Sequence, residues 1–187
     1  MSSLTADFQL SPETAMGDLM DALPGARRAL FARYHIGGCQ SCAFSDTETL
    51  AQLCERNENL PVDEVIAHLE SAHEQDQKVL IEPAEVAALL KGDSPPALVD
   101  LRTREEFEAV TLPGAKMYGQ ELNQEIFGTW DKETVIVMYD HTGDRCLDAA
   151  AYLIGHGFKN TRAMRGGIDA WSQEVDPTVA RYRIEFE

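Results

Sequence analysis

Residues 1 to about 76 place their apolar side chains at helical spacing and separate them with turn signals. The first predicted helix opens at Ser11-Pro12-Glu13, where a capping residue precedes proline. A second helix is predicted over about 26–34. A third opens at the capping-box sequence of residues 45–48, and a fourth opens at Pro61. The pattern predicts a small helical bundle.

From Val79 onward, short apolar runs alternate with helical stretches. Strands are predicted near 79–81, 97–100, 116–117, 134–139 and 161–164. Helices are predicted near 83–91, 105–110, 120–126, 145–156 and 168–173. Such alternation predicts an α/β fold whose mainly parallel sheet carries helices on both faces. The polar stretch SAHEQDQK marks the boundary, so the predicted domains are 1–76 and 77–187.

Composition and charge restrict the possible partners. The chain has 187 residues, of which 44% are hydrophobic and 26% are charged, as in globular proteins with a substantial core. With 16 Lys and Arg against 32 Asp and Glu, its formal net charge is −16 at pH 7. Such an acidic surface repels nucleic acid and anionic membranes, so we expect neither as a partner.

The cellular compartment affects how the cysteines are interpreted. No apolar run of about 18 residues is present, so no transmembrane helix is predicted. The N-terminal MSSLTADFQLSPET lacks the basic and apolar regions of a signal peptide, and we therefore expect a cytoplasmic protein. In a reducing compartment, four cysteines favour metal binding, redox chemistry or buried thiols over structural disulfides.

The stretch TVIVMYDHTGDRCLDAAAYL, residues 134–153, is predicted to form a buried strand, a tight loop and a helix. A loop between a strand end and a helix start directs several backbone N–H groups at one point, which suits an anion. An enzyme that uses a nucleophile would place a cysteine at the start of this loop. This chain has Asp140 there.

Several stretches of the second half resemble the rhodanese (sulfurtransferase) domain over about residues 77–177. LVDLRTREEFEAVTLPGA matches a strand and helix of that family, with Asp100, Arg102, Glu105 and Phe107 in their places. It departs at Val110-Thr111, where the family usually has Gly-His. GFKNTRAMRGGIDAW matches the family's last strand and helix.

The resemblance implies that Asp140 stands where active rhodaneses have their catalytic cysteine. The corresponding loop is Asp140-His141-Thr142-Gly143-Asp144-Arg145. A carboxylate cannot carry sulfur, so we expect it to accept the N–H bonds of the loop, to pair with Arg145 and to repel thiosulfate. Ordinary thiosulfate sulfurtransfer should therefore be lost.

Cys146 is the candidate that could replace the missing nucleophile. It lies at the predicted helix start, where the helix dipole can lower the pKa of a thiol. The alternative, which we favour, is a buried structural cysteine. His141 could hold a substrate or be a plain exposed loop residue, and we favour the latter.

The first half contains a cysteine pair, Cys39 and Cys42, in a turn between two predicted helices. With Gly38 and Ser45, this stretch resembles a small helical domain of unknown function that is often found with hybrid-cluster and other redox proteins, over about residues 5–72. The resemblance implies a disulfide or an association with sulfur or redox chemistry.

The spacing of Cys39 and Cys42 is itself compatible with several chemistries. The pair could form a reversible disulfide, could carry a persulfide, or could supply half of a zinc or iron–sulfur site. In a metal site Cys54 would be the third ligand and His35 or Cys146 the fourth. Inert thiols are the remaining alternative, and core packing is the favoured interpretation of Cys54.

Three functional hypotheses follow. In the first, the chain is a cytoplasmic sulfur-trafficking or thiol-redox protein. Its rhodanese-like domain binds an anionic ligand or a protein partner in sulfur or iron–sulfur metabolism, and Cys39 and Cys42 perform any thiol chemistry. Alternatively it is a non-enzymatic regulatory module that binds such a partner. The third hypothesis is an active sulfurtransferase that uses Cys146.

Overall fold

The computed structural model describes residues 8–37, 44–143 and 145–182. The chain divides into two compact units, Met1–Gln77 and Lys78–Glu187. Within the described ranges, no helix is both long enough and apolar enough to cross a bilayer.

The first unit is built from four helices in its described part. They are α1 (Met16–Ala22), α2 (Ala26–Tyr34), α3 (Leu50–Arg56) and α4 (Val62–Val79). Their apolar faces meet in one core, since Met16, Leu19, Leu30, Leu50 and Leu53 are fully buried. The predicted bundle is therefore present in these residues.

Two predicted helix starts were wrong. Helix α1 begins at Met16 rather than near Pro12, because the carbonyl groups of Pro12 and Thr14 accept N–H bonds from Ala51 and Leu50 at the start of α3. These two carbonyl groups therefore accept hydrogen bonds from α3 instead of from a helix of their own.

Helix α3 likewise begins later than predicted, at Leu50. Its capping box is formed by Thr49 and Gln52, while residues 45–48 form a turn that is closed by the Glu48 N–H and the Ser45 carbonyl, 3.0 Å apart. Two overlapping stretches of capping residues compete here, and the second one starts the helix.

The second unit has the predicted α/β fold. Its strands are β1 (Leu80–Ile81), β2 (Ala97–Asp100), β3 (Lys116–Met117), β4 (Ile136–Tyr139) and β5 (Thr161–Met164). Its helices are α5 (Pro83–Leu90), α6 (Arg104–Ala109), α7 (Gln120–Thr129), α8 (Cys146–Gly155) and α9 (Gly167–Glu174). The sheet has the order β1-β5-β4-β2-β3, and every neighbouring pair is parallel.

Strand β4 lies at the centre of the sheet and is buried on both faces. Ile136 and Met138 pack into one core, and Val137 and Tyr139 pack into the other, as alternation along a strand requires. Because all strands are parallel, the loop after Tyr139 lies in the middle of the carboxyl edge of the sheet, where ligand sites of such folds are found.

A buried ion pair lies at the carboxyl end of β2. Arg102 Nη2 donates to Asp100 Oδ2 over 2.6 Å, and both side chains are almost fully buried. The same nitrogen donates to the Val110 carbonyl over 2.6 Å. Burial alone would lower the pKa of Arg102, but its hydrogen bonds to Asp100 and Tyr182 raise that pKa above the ordinary value.

Substituting Arg102 by methionine should destabilise the second unit by about 3–5 kcal/mol, because Asp100 would remain buried without its partner. Arg104→Met is the matched control, since the Arg104–Glu108 pair is exposed and its loss should leave the stability of the second unit nearly unchanged. Both tryptophans of the chain, Trp130 and Trp171, lie in the second unit, so urea unfolding followed by tryptophan fluorescence reports on it. Equal losses in the two variants would contradict the prediction.

Candidate functional site

The loop after β4 is organised around the side chain of its first residue. Asp140 is 4% exposed, and its carboxylate accepts hydrogen bonds from three backbone N–H groups. Oδ1 accepts from Gly143. Oδ2 accepts from Arg145 over 2.6 Å and from Cys146 over 3.0 Å. Asp144 lies outside the described residues.

These N–H groups form an anion site that the chain fills itself. Arg145 and Cys146 begin α8, and the first N–H groups of a helix have no partner within it and favour negative charge. The Asp140 carboxylate supplies that charge, as the sequence led us to expect. A dissolved anion such as thiosulfate would have to displace it and would meet its negative charge.

The backbone of the loop is fixed against the turn between β5 and α9. The Asp140 carbonyl accepts the Ile168 N–H over 2.9 Å, and the His141 carbonyl accepts the Asp169 N–H over 3.1 Å. Gly167 has a φ of +58°, and a Cβ there would lie 2.4 Å from the Asp140 carbonyl oxygen. The second glycine of the GGIDAW stretch is thus required, because any side chain there would collide with the Asp140 carbonyl group.

The predicted ion pair between Asp140 and Arg145 is not formed. The Arg145 guanidinium instead donates to the Leu101 carbonyl over 2.6 Å, at the carboxyl end of β2. The backbone N–H groups already engage both oxygens of Asp140, so the carboxylate is satisfied without the side chain of Arg145.

Cys146 lies beneath the loop and is fully buried. Its thiol lies 3.3 Å from the Gly143 carbonyl and 3.7 Å from the Met164 carbonyl, and it packs in the core that contains Leu147 and Ala150. A thiol that is buried against carbonyl groups is poorly placed to meet a sulfur donor. This position favours the structural interpretation of Cys146 over the nucleophilic one.

A segment of residues 176–182 covers one side of the loop, and the sequence did not predict it. The Tyr182 ring stacks on His141, with centroids 4.3 Å apart and planes 8° from parallel. The Tyr182 hydroxyl donates to Glu106 over 2.6 Å and accepts from Arg102 over 2.9 Å. Thus His141 is half-buried under a tyrosine, whereas an exposed loop residue was the favoured expectation.

An ion pair and a further hydrogen bond hold the same segment against α9. Arg181 donates to Asp169 over 2.6 and 3.1 Å, and this bond holds the pKa of Asp169 below its usual range. The Ser172 hydroxyl also donates to the Val179 carbonyl over 2.6 Å. The one sequence signal that could have indicated this segment is a tyrosine between arginines after the last helix.

The cysteine pair of the first unit, Cys39 and Cys42, lies outside the described residues. Cys54 is buried beside Leu50 and Leu53, and burial raises the pKa of its thiol. His35 ends α2 in a left-handed conformation. In the described part of the chain, no group of three or more His, Cys, Asp or Glu side chains is arranged to hold a metal ion. The zinc or iron–sulfur site at Cys39 and Cys42 therefore stays a prediction.

Replacing Asp140 by glycine should empty the anion site. Three N–H groups would lose their acceptor, and the free energy of unfolding of the second unit should fall by about 3 kcal/mol. Sulfate or thiosulfate should restore part of this loss by binding the vacated N–H groups, so the unfolding midpoint should rise with anion concentration. Sodium chloride at equal ionic strength is the control. An equal response of the unsubstituted chain to sulfate would contradict a site filled by Asp140.

Tyr182 should make stability depend on pH in the alkaline range. Burial and the hydrogen bond to Glu106 raise the pKa of Tyr182 from 10.0 to about 12. Because the folded pKa is above the unfolded one, this stabilisation is complete below pH 10 and is lost as the pH rises toward 12. The difference in unfolding free energy between the unsubstituted chain and Tyr182→Phe should therefore shrink over this interval. A difference that stays constant across this interval would contradict the prediction.

Comparisons with known proteins agree with this architecture. The rhodanese-like domain profile matches residues 82–174. The chain is 34% identical over 83 residues to a sulfurtransferase of Allochromatium vinosum, a match that covers 44% of this chain and 78% of that protein. It is 35% identical over 95 residues to the chloroplastic rhodanese-like/PpiC domain-containing protein 12 of Arabidopsis thaliana, which covers 46% of this chain.

The chain spans only 30% of the length of the Arabidopsis protein. Among solved structures, a rhodanese-like domain protein from Staphylococcus aureus is 25% identical, covers 51% of this chain and 93% of its own, and has a TM-score of 0.45. Through the domain at residues 82–174, the chain belongs to the rhodanese-like family.

Proposed function

We propose that the chain is a protein of sulfur or thiol metabolism whose rhodanese-like domain does not transfer sulfur from thiosulfate. The observation that supports this proposal is the Asp140 carboxylate, which accepts the N–H bonds of Gly143, Arg145 and Cys146. The family includes sulfurtransferases, as the Allochromatium relative is named.

The chemistry of sulfurtransfer explains why this observation matters. A thiolate must attack the sulfane sulfur of the donor, and the N–H groups of the loop must stabilise the thiolate and then the persulfide. Asp140 provides no sulfur atom, and its carboxylate uses N–H groups that would stabilise the reacting sulfur. Cys146 does not compensate, because its thiol is buried against the carbonyl groups of Gly143 and Met164.

The thiol chemistry in this proposal belongs to Cys39 and Cys42. A thiolate of the pair would take the outer sulfur of a persulfide donor, forming a cysteine persulfide and leaving the donor as a thiol. Alternatively, the two thiols would be oxidised to a disulfide by an acceptor of two electrons. The resemblance of residues 5–72 to a domain found with redox proteins supports this assignment, and a cytoplasmic location would keep the pair reduced.

A non-enzymatic module that binds a protein of sulfur or iron–sulfur metabolism is the second candidate. The observation that favours it is the fixed surface of the loop, where Tyr182 stacks on His141 and Arg181 is paired with Asp169. A loop that is held in one conformation without a nucleophile is suited to recognition, because little ordering is needed on binding.

The decisive measurement combines thiosulfate turnover with the location of added sulfur. With thiosulfate and cyanide, the unsubstituted chain should form no thiocyanate above background, whereas Asp140→Cys should gain activity by restoring the nucleophile. Asp140→Ser is the matched control, and a Cys146→Ser background excludes any contribution of Cys146. Turnover by the unsubstituted chain that is lost in Cys146→Ser would support the third hypothesis against this proposal.

Peptide mass mapping after incubation with a persulfide donor tests the other half of the proposal. Added sulfur on Cys39 or Cys42, which is lost in the Cys39→Ser and Cys42→Ser variants, would support the sulfur carrier. If both cysteines stay unmodified by the persulfide donor and are also not oxidised by a low-molecular-weight disulfide, the proposed thiol chemistry is contradicted. The non-enzymatic binding module is then the remaining candidate.

A further inference from the structure

The first unit contains a cleft of about 250 Å³ that the proposed thiol chemistry does not use. One wall is apolar and comes from the start of the described chain and the end of α1: Phe8, Leu10, Ala22 and Leu23. The opposite wall comes from α4 and is polar: Glu70, His73 and Glu74. We call this feature the α4 cleft.

The polar wall carries uncompensated negative charge. Glu70 and Glu74 are one helical turn apart, so their carboxylates lie on the same face of α4 and repel each other. Neither forms an ion pair with any described residue. His73 lies between them and contacts Gln77, 3.4 Å away. A cation that reached both carboxylates would relieve this repulsion.

The apolar wall selects a cation with an apolar stem. Leu10 and Leu23 are largely buried and form its base, while Phe8 stays 37% exposed. Long basic side chains bury their methylene stems along apolar surface and keep the charged group at a polar edge. A guanidinium suits this edge better than an ammonium, because its planar array of five N–H donors can engage two carboxylates and can stack on an aromatic ring.

The size of the cleft limits what can enter it. At about 250 Å³ it is smaller than the roughly 300–1,000 Å³ of pockets for drug-sized ligands, so it suits a single side chain better than a nucleotide or a cofactor. The net charge of −16 adds a long-range attraction for a basic partner and should speed its association.

We propose that the α4 cleft binds an arginine side chain of a partner protein. The arginine stem lies against Leu10 and Leu23, and its guanidinium bridges Glu70 and Glu74. This inference concerns the helical unit alone and does not depend on the chemistry proposed for Cys39 and Cys42.

The test uses the full chain and three capped dipeptide probes, N-acetyl-leucyl-arginine amide and its lysine and citrulline analogues. Citrulline has nearly the shape of arginine without its charge. Methyl resonances of Leu10, Ala22 and Leu23 should shift in a saturable way with the arginine probe, less with the lysine probe, and not with the citrulline probe. Phe8→Ala should weaken binding of the arginine probe.

Charge removal provides the matched comparison. Glu70→Gln with Glu74→Gln should weaken binding of the arginine probe at least tenfold, since both guanidinium contacts lose their opposite charge. Asp63→Asn with Glu64→Gln removes the same charge from exposed positions at the start of α4 and should leave binding within twofold.

Several outcomes would overturn the proposal. Equal binding of the citrulline probe would indicate an apolar site only, and equal weakening by the two charge variants would indicate general attraction to an acidic surface. Methyl shifts that depend on protein concentration without any probe would identify a second copy of the chain as the occupant. Absence of saturable binding would show that the cleft takes no such side chain.

Discussion

The hydrogen bonds that the Asp140 carboxylate accepts are the interaction on which the candidate site depends. They join the end of the central strand to the first turn of α8 and give the N–H groups of that turn their acceptor. A carboxylate that forms part of the chain is present at full occupancy, so the loop needs no ligand to be ordered. The same bonds that fix the loop therefore occupy N–H groups of a kind that bind dissolved anions in other proteins.

A second set of hydrogen bonds, formed by polar groups at the end of β2, connects further segments beside the loop. Arg102 joins Asp100 to the Val110 carbonyl and to the Tyr182 hydroxyl, so one buried guanidinium links a strand end, a helix end and the segment 176–182. Val110 and Thr111 stand where, by the resemblance, the family usually has Gly-His, and the Thr111 hydroxyl lies 3.0 Å from that of Tyr139 and 3.3 Å from Asp100. Burial, with Asp100 nearby, raises the pKa of Tyr139. The departure from the family pattern is thus accommodated by hydrogen bonds.

Strands β2 and β4 were predicted well because each is a short, mostly apolar run bounded by turn residues. The two wrong helix starts have a common cause. Capping residues are frequent before both α1 and α3, and only the pairing of Pro12 and Thr14 with the start of α3 decides which of them begin a helix. Which capping residue starts the helix depends on contacts between segments that are about 35 residues apart. Local helix propensity carries no information about such contacts.

For the site, the sequence alone determined that an aspartate lies at a strand end followed by a helix start, because the apolar periodicities that predict the strand and the helix are local. It also determined the parallel sheet that brings this loop to the carboxyl edge. Only the tertiary structure decided that Arg145 turns to Leu101, that Cys146 is buried, and that Tyr182 stacks on His141. Side-chain direction and burial depend on which distant segments pack together, and a single sequence does not record those contacts.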